Sequence, residues 1–406
     1  MKRILLSVFA AAIAAAWAVP ATAGDVSLSG QYRLRGEYRS NPTFTDGEAH
    51  QSFLDQRVRL TANAKASDDT SVKITVQDSR RWGGANQLTD DAAADSTVDL
   101  HEASLNIDKL LSSPVSLKLG RQELSYGDER LVGAFNWSNN GRSFDAIKAV
   151  YAQDAFNLDL IVSKITEATT ATTAGGAGGG DNDTDFLGGY ATVKTIPNNT
   201  LDLYALNTRN NATGMKLYTI GARLKGAVAG VDYTLELPYQ LGEVSSTSDV
   251  SAWAFAGKAS YTIPNTPKLK VGAEVDYSTG DDTTSADYEA WTDLYPTNHG
   301  HFGYIDVSGT TWSGLAGSGL TAFSVNASAE PNDKLKVYGA YWNYTATETA
   351  SGADDAIGSA VDLTANYKLT SAVNAEIGLS HFFVGDATSA NGEDQNWGYL
   401  MLTANF

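Results

Sequence analysis

The sequence predicts an all-β chain: a transmembrane antiparallel β-barrel of about 18 strands, with short periplasmic turns and longer extracellular loops. Three observations carry this reading. Apolar and polar residues alternate with period two over segments of nine to thirteen residues, longer than the strands of ordinary globular sheets. Short and long connections alternate between those segments. Aromatic residues gather at the segment ends.

The first segment shows the pattern plainly. Val26, Leu28, Gly30, Tyr32, Leu34, Gly36 and Tyr38 alternate with Ser27, Ser29, Gln31, Arg33, Arg35, Glu37 and Arg39. Such alternation gives a strand one apolar and one polar face. Segments near 231–240, 268–278 and 361–369 repeat it. The expected strands are 26–39, 52–66, 70–80, 97–108, 114–124, 143–152, 156–166, 185–195, 200–209, 215–226, 230–243, 249–263, 268–279, 318–329, 334–347, 357–369, 372–384 and 395–406.

Connections after even-numbered segments are short, as at Ser67–Asp69, Gln153–Ala155 and Thr370–Ser371. Those after odd-numbered segments include the long stretches 81–96, 125–142, 167–184 and 280–317, although 210–214 and 244–248 are short. This parity places both chain ends of the barrel in the periplasm. Tyr151, Phe156, Tyr261, Tyr367 and Phe406 then fall at periplasmic ends. Tyr38, Phe53, Tyr239, Trp253, Tyr277 and Phe383 fall near the other ends, as two interfacial belts require. Phe406 closes the last alternating segment, a terminal pattern for the barrel assembly machinery to read.

Ahead of the barrel, Lys2 and Arg3 precede an apolar stretch and Ala21-Thr22-Ala23, so residues 1–23 read as a cleaved signal peptide and 24–406 as one barrel domain. No later apolar run is long enough for a membrane helix. The 42% hydrophobic content argues against disorder, and the absence of cysteine excludes disulfides, thiolate metal sites and cysteine nucleophiles. Without Lys2 and Arg3 the chain carries 27 basic and 47 acidic residues, a net charge of −20. So acidic a chain is no nucleic-acid binder. Its expected surroundings are outer-membrane lipid and lipopolysaccharide.

The basic residues are unevenly placed. Ten of the twelve arginines after residue 23 lie between positions 33 and 142. Arg33, Arg35 and Arg39 oppose Leu34, Gly36 and Tyr38 in parity, and Arg57 and Arg59 oppose Val58 and Leu60, so all five are expected to face the lumen. Outward at the bilayer midplane each would cost about 2–4 kcal/mol. They can pair with lumenal acids such as Glu37, Asp55 and Glu102, guide an anionic ligand, or do both. Guanidinium grips a carboxylate bidentately, where an ammonium is a point charge.

Acidic residues concentrate in loops: Asp90, Asp91, Asp181, Asp183, Asp185, Asp281, Asp282, Asp354, Asp355, Glu393 and Asp394. They read as a solvated outer surface able to take divalent cations. Asp181-x-Asp183-x-Asp185 opens like a calcium loop, but Phe186 stands where glycine is needed. His299 and His301 lie near Asp306, yet no third ligand or nucleophile accompanies them, so an outer-membrane hydrolase is set below a channel. An adhesin is the other non-channel reading.

Two stretches carry a family resemblance. Gly120-Arg-Gln-Glu-Leu-Ser-Tyr-Gly-Asp-Glu-Arg-Leu-Val-Gly133, followed by Trp137-Ser-Asn-Asn-Gly-Arg-Ser-Phe-Asp-Ala146, resembles the signature of the alginate export family. Leu294-Tyr-Pro-Thr-Asn-His-Gly-His-Phe-Gly-Tyr-Ile-Asp306 resembles its second stretch. The resemblance implies an eighteen-stranded outer-membrane barrel whose electropositive lumen passes an anionic uronate polymer, with Arg121, Arg130 and Arg142 lining the constriction. The substrate site expected overall comprises Arg33, Arg35, Arg57, Arg59, Arg121, Arg130 and Arg142. The expected cargo is an acidic saccharide, the alternative a small carboxylate or general porin solute, and no resident cofactor is implied.

Overall fold

The structure, a computed structural model, describes residues 26–83, 98–167, 182–282, 284–350 and 352–406. The expected signal peptide, and Asp90, Asp91 and Asp181, lie outside the described residues. Eighteen strands follow in chain order: β1 (Val26–Arg39), β2 (Gln51–Ser67), β3 (Thr70–Arg81), β4 (Asp99–Ile107), β5 (Val115–Gln122), β6 (Phe144–Ala152), β7 (Phe156–Thr166), β8 (Thr184–Val193), β9 (Asn199–Asn210), β10 (Met215–Val228), β11 (Val231–Ser245), β12 (Ser248–Thr262), β13 (Lys270–Ser278), β14 (Leu320–Asn332), β15 (Leu335–Thr345), β16 (Ala356–Lys368), β17 (Val373–Val384) and β18 (Gln395–Asn405). Each expected strand has its counterpart.

Every strand pairs antiparallel with its chain neighbours, and β1 closes the sheet on β18 through Gln31–Asn405 to Arg39–Trp397. Closure satisfies every strand edge, which hydrocarbon demands because no water is there to bond a free N–H. Phe406 completes the seam: its amide donates to the Gly30 carbonyl at 3.0 Å and its carbonyl accepts from the Gly30 amide at 2.6 Å. The Phe406 ring lies over Gly30, where a Cβ would stand 2.5 Å from the ring edge and push it aside.

The two faces are inverted relative to a soluble sheet. Leu160, Leu237, Leu363 and Leu400 are each more than half exposed and point to lipid, whereas inward Arg33, Gln122, Ser163, Thr219 and Asp362 are buried. Tyr38, Tyr239, Trp253 and Phe383 project outward at the extracellular ends, and Phe156, Tyr261 and Tyr367 at the periplasmic ends. Phe53 departs from the expected belt. It shares the inward parity of Asp55 and Arg57 and lies under the Arg81 guanidinium, 3.7 Å away.

What buries the inward face is the chain itself. The β5–β6 connection (123–143) and the β13–β14 connection (279–319) fold into the lumen. Leu124, Leu131, Val132, Trp291, Phe302, Ile305 and Trp312 pack there against inward Phe144, Ile161 and Phe186. Each such burial stabilises the loop by about 1.5–3 kcal/mol. An apolar cluster inside a polar-lined barrel follows from those two loops.

Candidate functional site

The two inserted loops meet edge to edge. Val132 and Tyr295 form a parallel bridge; the Gly133 amide donates to the Tyr295 carbonyl and the Tyr295 amide to the Leu131 carbonyl, both at 2.9 Å. Thr297 caps the junction, donating to Glu129 Oε2 at 2.6 Å and accepting from the Phe135 amide at 2.9 Å. The two stretches that carry the family resemblance, about 150 positions apart in sequence, are therefore one contact in space. Strand periodicity cannot reveal such a contact, because neither loop has any.

Arg33, Arg35, Arg57 and Arg59 do face inward, as their parity predicts, but they meet loop backbone. Arg33 Nη1 and Arg57 Nη1 both donate to the Asn136 carbonyl, at 2.8 and 3.0 Å, and each guanidinium also reaches the Ser138 carbonyl at 3.0 Å. Arg35 donates to the Trp137 carbonyl and to Glu37, both at 2.6 Å. Arg59 holds Gln77 and Asn136 Oδ1, each at 2.6 Å, and lies 3.4 Å from Glu123. Four guanidinium groups thus clamp the carbonyl-rich turn 136–140. Arg33 and Arg57 have no carboxylate within ion-pair distance among the described residues; their charge is solvated by neutral dipoles, the loop carbonyls together with Asn139 Oδ1 at 3.3 Å and Gln31 Oε1 at 2.8 Å.

Trp137, at the tip of that turn, sits between the loops and the wall. Arg35 lies 4.0 Å above its ring, and the His299 imidazole stacks at 3.7 Å and 7°. His299 is oriented by Asp306, 2.6 Å from Nδ1. His301 points elsewhere, its Nε2 donating to the Asp128 carbonyl at 2.5 Å. The two histidines serve separate contacts, and no group of three or more metal-binding side chains occurs among the described residues.

Half-way round the barrel the lumen changes sign. Asp202 of β9, Glu236 of β11 and Glu274 and Asp276 of β13 are all buried. Arg130 reaches this wall, pairing with Glu274 and, at 2.9 Å, with Asp276. Burial alone would depress the Arg130 pKa, but Asp276 and Glu274 outweigh it and raise it. Arg223 bridges Asp202 at 2.9 Å and Asp128, and Lys258 joins Asp128 at 2.8 Å. Burial resists ionisation of Asp128, yet Lys258 and Arg223 hold its carboxyl down at about 2. The same cations act on His301: burial first, then Arg130 and Lys258, push its pKa well below the usual value and keep it neutral. Gly127 (φ +60°) makes the turn that seats Asp128; a Cβ there would stand 3.0 Å from Arg223 Cδ.

Three expected constriction residues are thereby relocated. Arg130 is sealed between acids and the rings of Phe302 and Trp312, not open to solute. Arg142 is a crosspiece, donating to the carbonyls of Gly133, Tyr295 and Pro296. Arg121 is on the outside. It pairs in register with Asp145 and shares the parity of Leu119 and Ile147, so its 3.2 Å ion pair with Asp145 faces away from the lumen. Of the acidic loop residues, Asp183 and Asp185 are engaged by Lys164 Nζ, 2.7 Å from each.

The fold has many relatives among solved structures. The chain is similar to Pseudomonas aeruginosa OccK5 (OpdH), at 12% identity and TM-score 0.66 over 94% of this chain and 98% of that one. It is similar to a BenF-like porin from Pseudomonas fluorescens Pf-5, at 11% identity and TM-score 0.67 over 94% and 99%. Acinetobacter baumannii OccAB1 matches at 13% identity and TM-score 0.64 over 94% and 97%. No curated protein matches the sequence. The family described as alginate export matches residues 25–397, nearly the whole barrel and both inserted loops. An eighteen-stranded closed barrel with porin architecture, spanned by that family from β1 to β18, belongs to the alginate export family of outer-membrane β-barrel channels.

Proposed function

We propose that the channel is anion-selective and passes acidic saccharides, uronate polymers or their oligomers. The observation that carries this reading is the pair Arg33 and Arg57, whose charges are met by the Asn136 and Ser138 carbonyls instead of carboxylates. Peptide dipoles solvate a cation without cancelling its field. Low-dielectric barrel walls focus that field into the lumen, while the outer acids lie in screened solvent beyond a Debye length of about 8 Å. Both guanidinium groups are buried under the loop turn, so they act on a passing anion through their field and not by direct contact, which leaves the solute free to move on.

A second reading, a porin for small carboxylates, is favoured by the loop packing around Val132 and Tyr295, which fills part of the lumen and suits short solutes. Reversal potential across planar bilayers in a salt gradient tests the first claim. The unmodified channel is expected to prefer anions, and Arg33→Gln with Arg57→Gln to abolish the preference; cation selectivity in the unmodified channel overturns it. Block of chloride current then separates the readings. Uronate oligomers blocking more strongly than the monomer at equal carboxylate concentration supports the polymer, and equal block supports the small solute.

A further inference from the structure

On the outer wall, one cross-strand row of residues is charged on every one of eight consecutive strands. Arg121 pairs in register with Asp145, Asp145 with Lys164, Lys164 with Asp185, Asp185 with Arg209, Arg209 with Lys216, Lys216 with Glu243, and Glu243 with Asp249. All eight share outward parity and stand one or two residues from the extracellular strand ends.

Strand tilt makes the row oblique to the membrane. At a tilt of about 40° a strand climbs roughly 2.6 Å per residue. Arg121 is six residues above the start of β5, at about 16 Å. Arg209 is ten above the start of β9 and Lys216 twelve above the end of β10, at about 26–31 Å. The apolar band of such barrels is about 25 Å tall. The deep end therefore lies within hydrocarbon, and there opposite charges alternate and neutralise one another, Arg121 with Asp145 and Lys164 with Asp183 and Asp185. The high end lies at the headgroups, just above outward Tyr218 and Tyr239.

At that high end two cations, Arg209 and Lys216, stand directly opposite each other, an arrangement that repels unless an anion bridges it. Asp185, next to Arg209 in the row, is held by Lys164, and no carboxylate lies within ion-pair distance of Arg209 among the described residues. Lys216 has Glu243 at 3.0 Å. Asn207 accepts from Arg209 Nε at 2.8 Å and so aims the guanidinium down the wall. Beneath them, centred on β9 and β10 and reaching from β7 to β11, is an apolar groove of about 630 Å³ with Leu203, Ala205, Ile220, Ala222, Leu237 and Tyr239 around it.

We propose that this outer face of β9 and β10 binds one molecule of lipid A, the phosphorylated glycolipid of the outer leaflet, with its phosphate between Arg209 and Lys216 and an acyl chain in the groove. The site is independent of the cargo in the lumen. A bridging phosphate turns the one like-charged cation contact of the row into two charge-assisted contacts. An acyl chain fills a groove that is otherwise a packing defect in the hydrocarbon.

Native mass spectrometry of the full chain in mild detergent tests this, with bis-phosphorylated lipid A, dephosphorylated lipid A, phosphatidylglycerol and inorganic phosphate as separate probes. The unmodified chain is expected to retain one bis-phosphorylated lipid A. Arg209→Gln with Lys216→Gln should bind it about tenfold more weakly. Ala205→Phe, which fills the lipid-exposed groove without touching the lumen, should also weaken it. Arg80→Gln, outward on β3 beside Asp78, serves as the control and should bind normally. Heat-modified gel mobility confirms that each variant is a folded barrel. Equal retention by the double variant, equal binding of the dephosphorylated lipid, or equal binding of phosphatidylglycerol overturns the proposal. Displacement of the lipid by inorganic phosphate alone overturns the acyl-chain half of it.

Discussion

The wall of β1 and β2 and the wall of β9 to β13 stand across one lumen, and both hold an inserted loop through arginine. They do so in opposite ways. On the first wall the arginines belong to the strands and grasp loop carbonyls, and two of them, Arg33 and Arg57, have no carboxylate within ion-pair distance among the described residues. On the second the strands supply carboxylates and the 123–143 loop supplies Arg130, so charge is cancelled in place. Identical chemistry thus yields a field on one side and a rivet on the other. Which member of the pair is rooted in the wall matters less than whether its partner is charged.

The largest effect tests the rivet. Arg130→Met leaves Glu274 and Asp276 buried without their cation and should cost about 3–5 kcal/mol. The expected sign is a marked drop in the temperature at which heat-modified mobility appears. Adding Glu274→Gln and Asp276→Asn should recover most of it, because the penalty comes from the unpaired charges.

Next comes the clamp. Arg57→Gln removes charge-assisted bonds to Asn136 and Ser138, worth about 1.5–3 kcal/mol each. The loop should loosen and single-channel current grow noisier, while the barrel stays folded. Unchanged noise together with unchanged selectivity would show that the clamp is redundant.

Acid should act on the second wall. His301 is held neutral, its pKa well below the ordinary 6.5, by burial and by Arg130 and Lys258. A released loop takes up the proton more readily than a docked one. Docking is therefore fully stable above about pH 6.5 and weakens as pH falls below it, by about 1.4 kcal/mol per pH unit. Asp128 adds to the loss only below about pH 4, as pH approaches its own value of about 2. Protease nicking within 279–319, followed against pH, should rise as pH falls through 6, and His301→Gln should flatten the profile.

The smallest effect sharpens the contrast by lying outside it. Arg121→Ala breaks a half-exposed outward ion pair worth about 0.2–1 kcal/mol and should leave ion selectivity untouched. A change in reversal potential comparable to that of the Arg33 and Arg57 variants would place Arg121 in the lumen after all.

The barrel itself was legible in the sequence, down to strand number and the inward parity of Arg33, Arg35, Arg57 and Arg59, because each is a local property. A strand's period is two, and hydrocarbon leaves no tolerance for an unpaired edge or an isolated outward charge. Arg121 is different: the family resemblance implies a place at the constriction, whereas the parity it shares with Leu117 and Leu119 puts it on the outer wall. The eight-strand charged row was hidden, since its members lie between positions 121 and 249 and only register aligns them.

Sequence by itself thus determined the closed sheet and which faces of its strands are wet. Tertiary structure alone decided what an inward side chain meets. The turn at 136–140 is about 80 to 105 residues from the arginines that hold it, and Tyr295 about 160 from its partner Val132. Alternation is enforced residue by residue by the solvent on either side. Loop docking is settled by the fit of carbonyls, rings and charges brought together only after the barrel has closed.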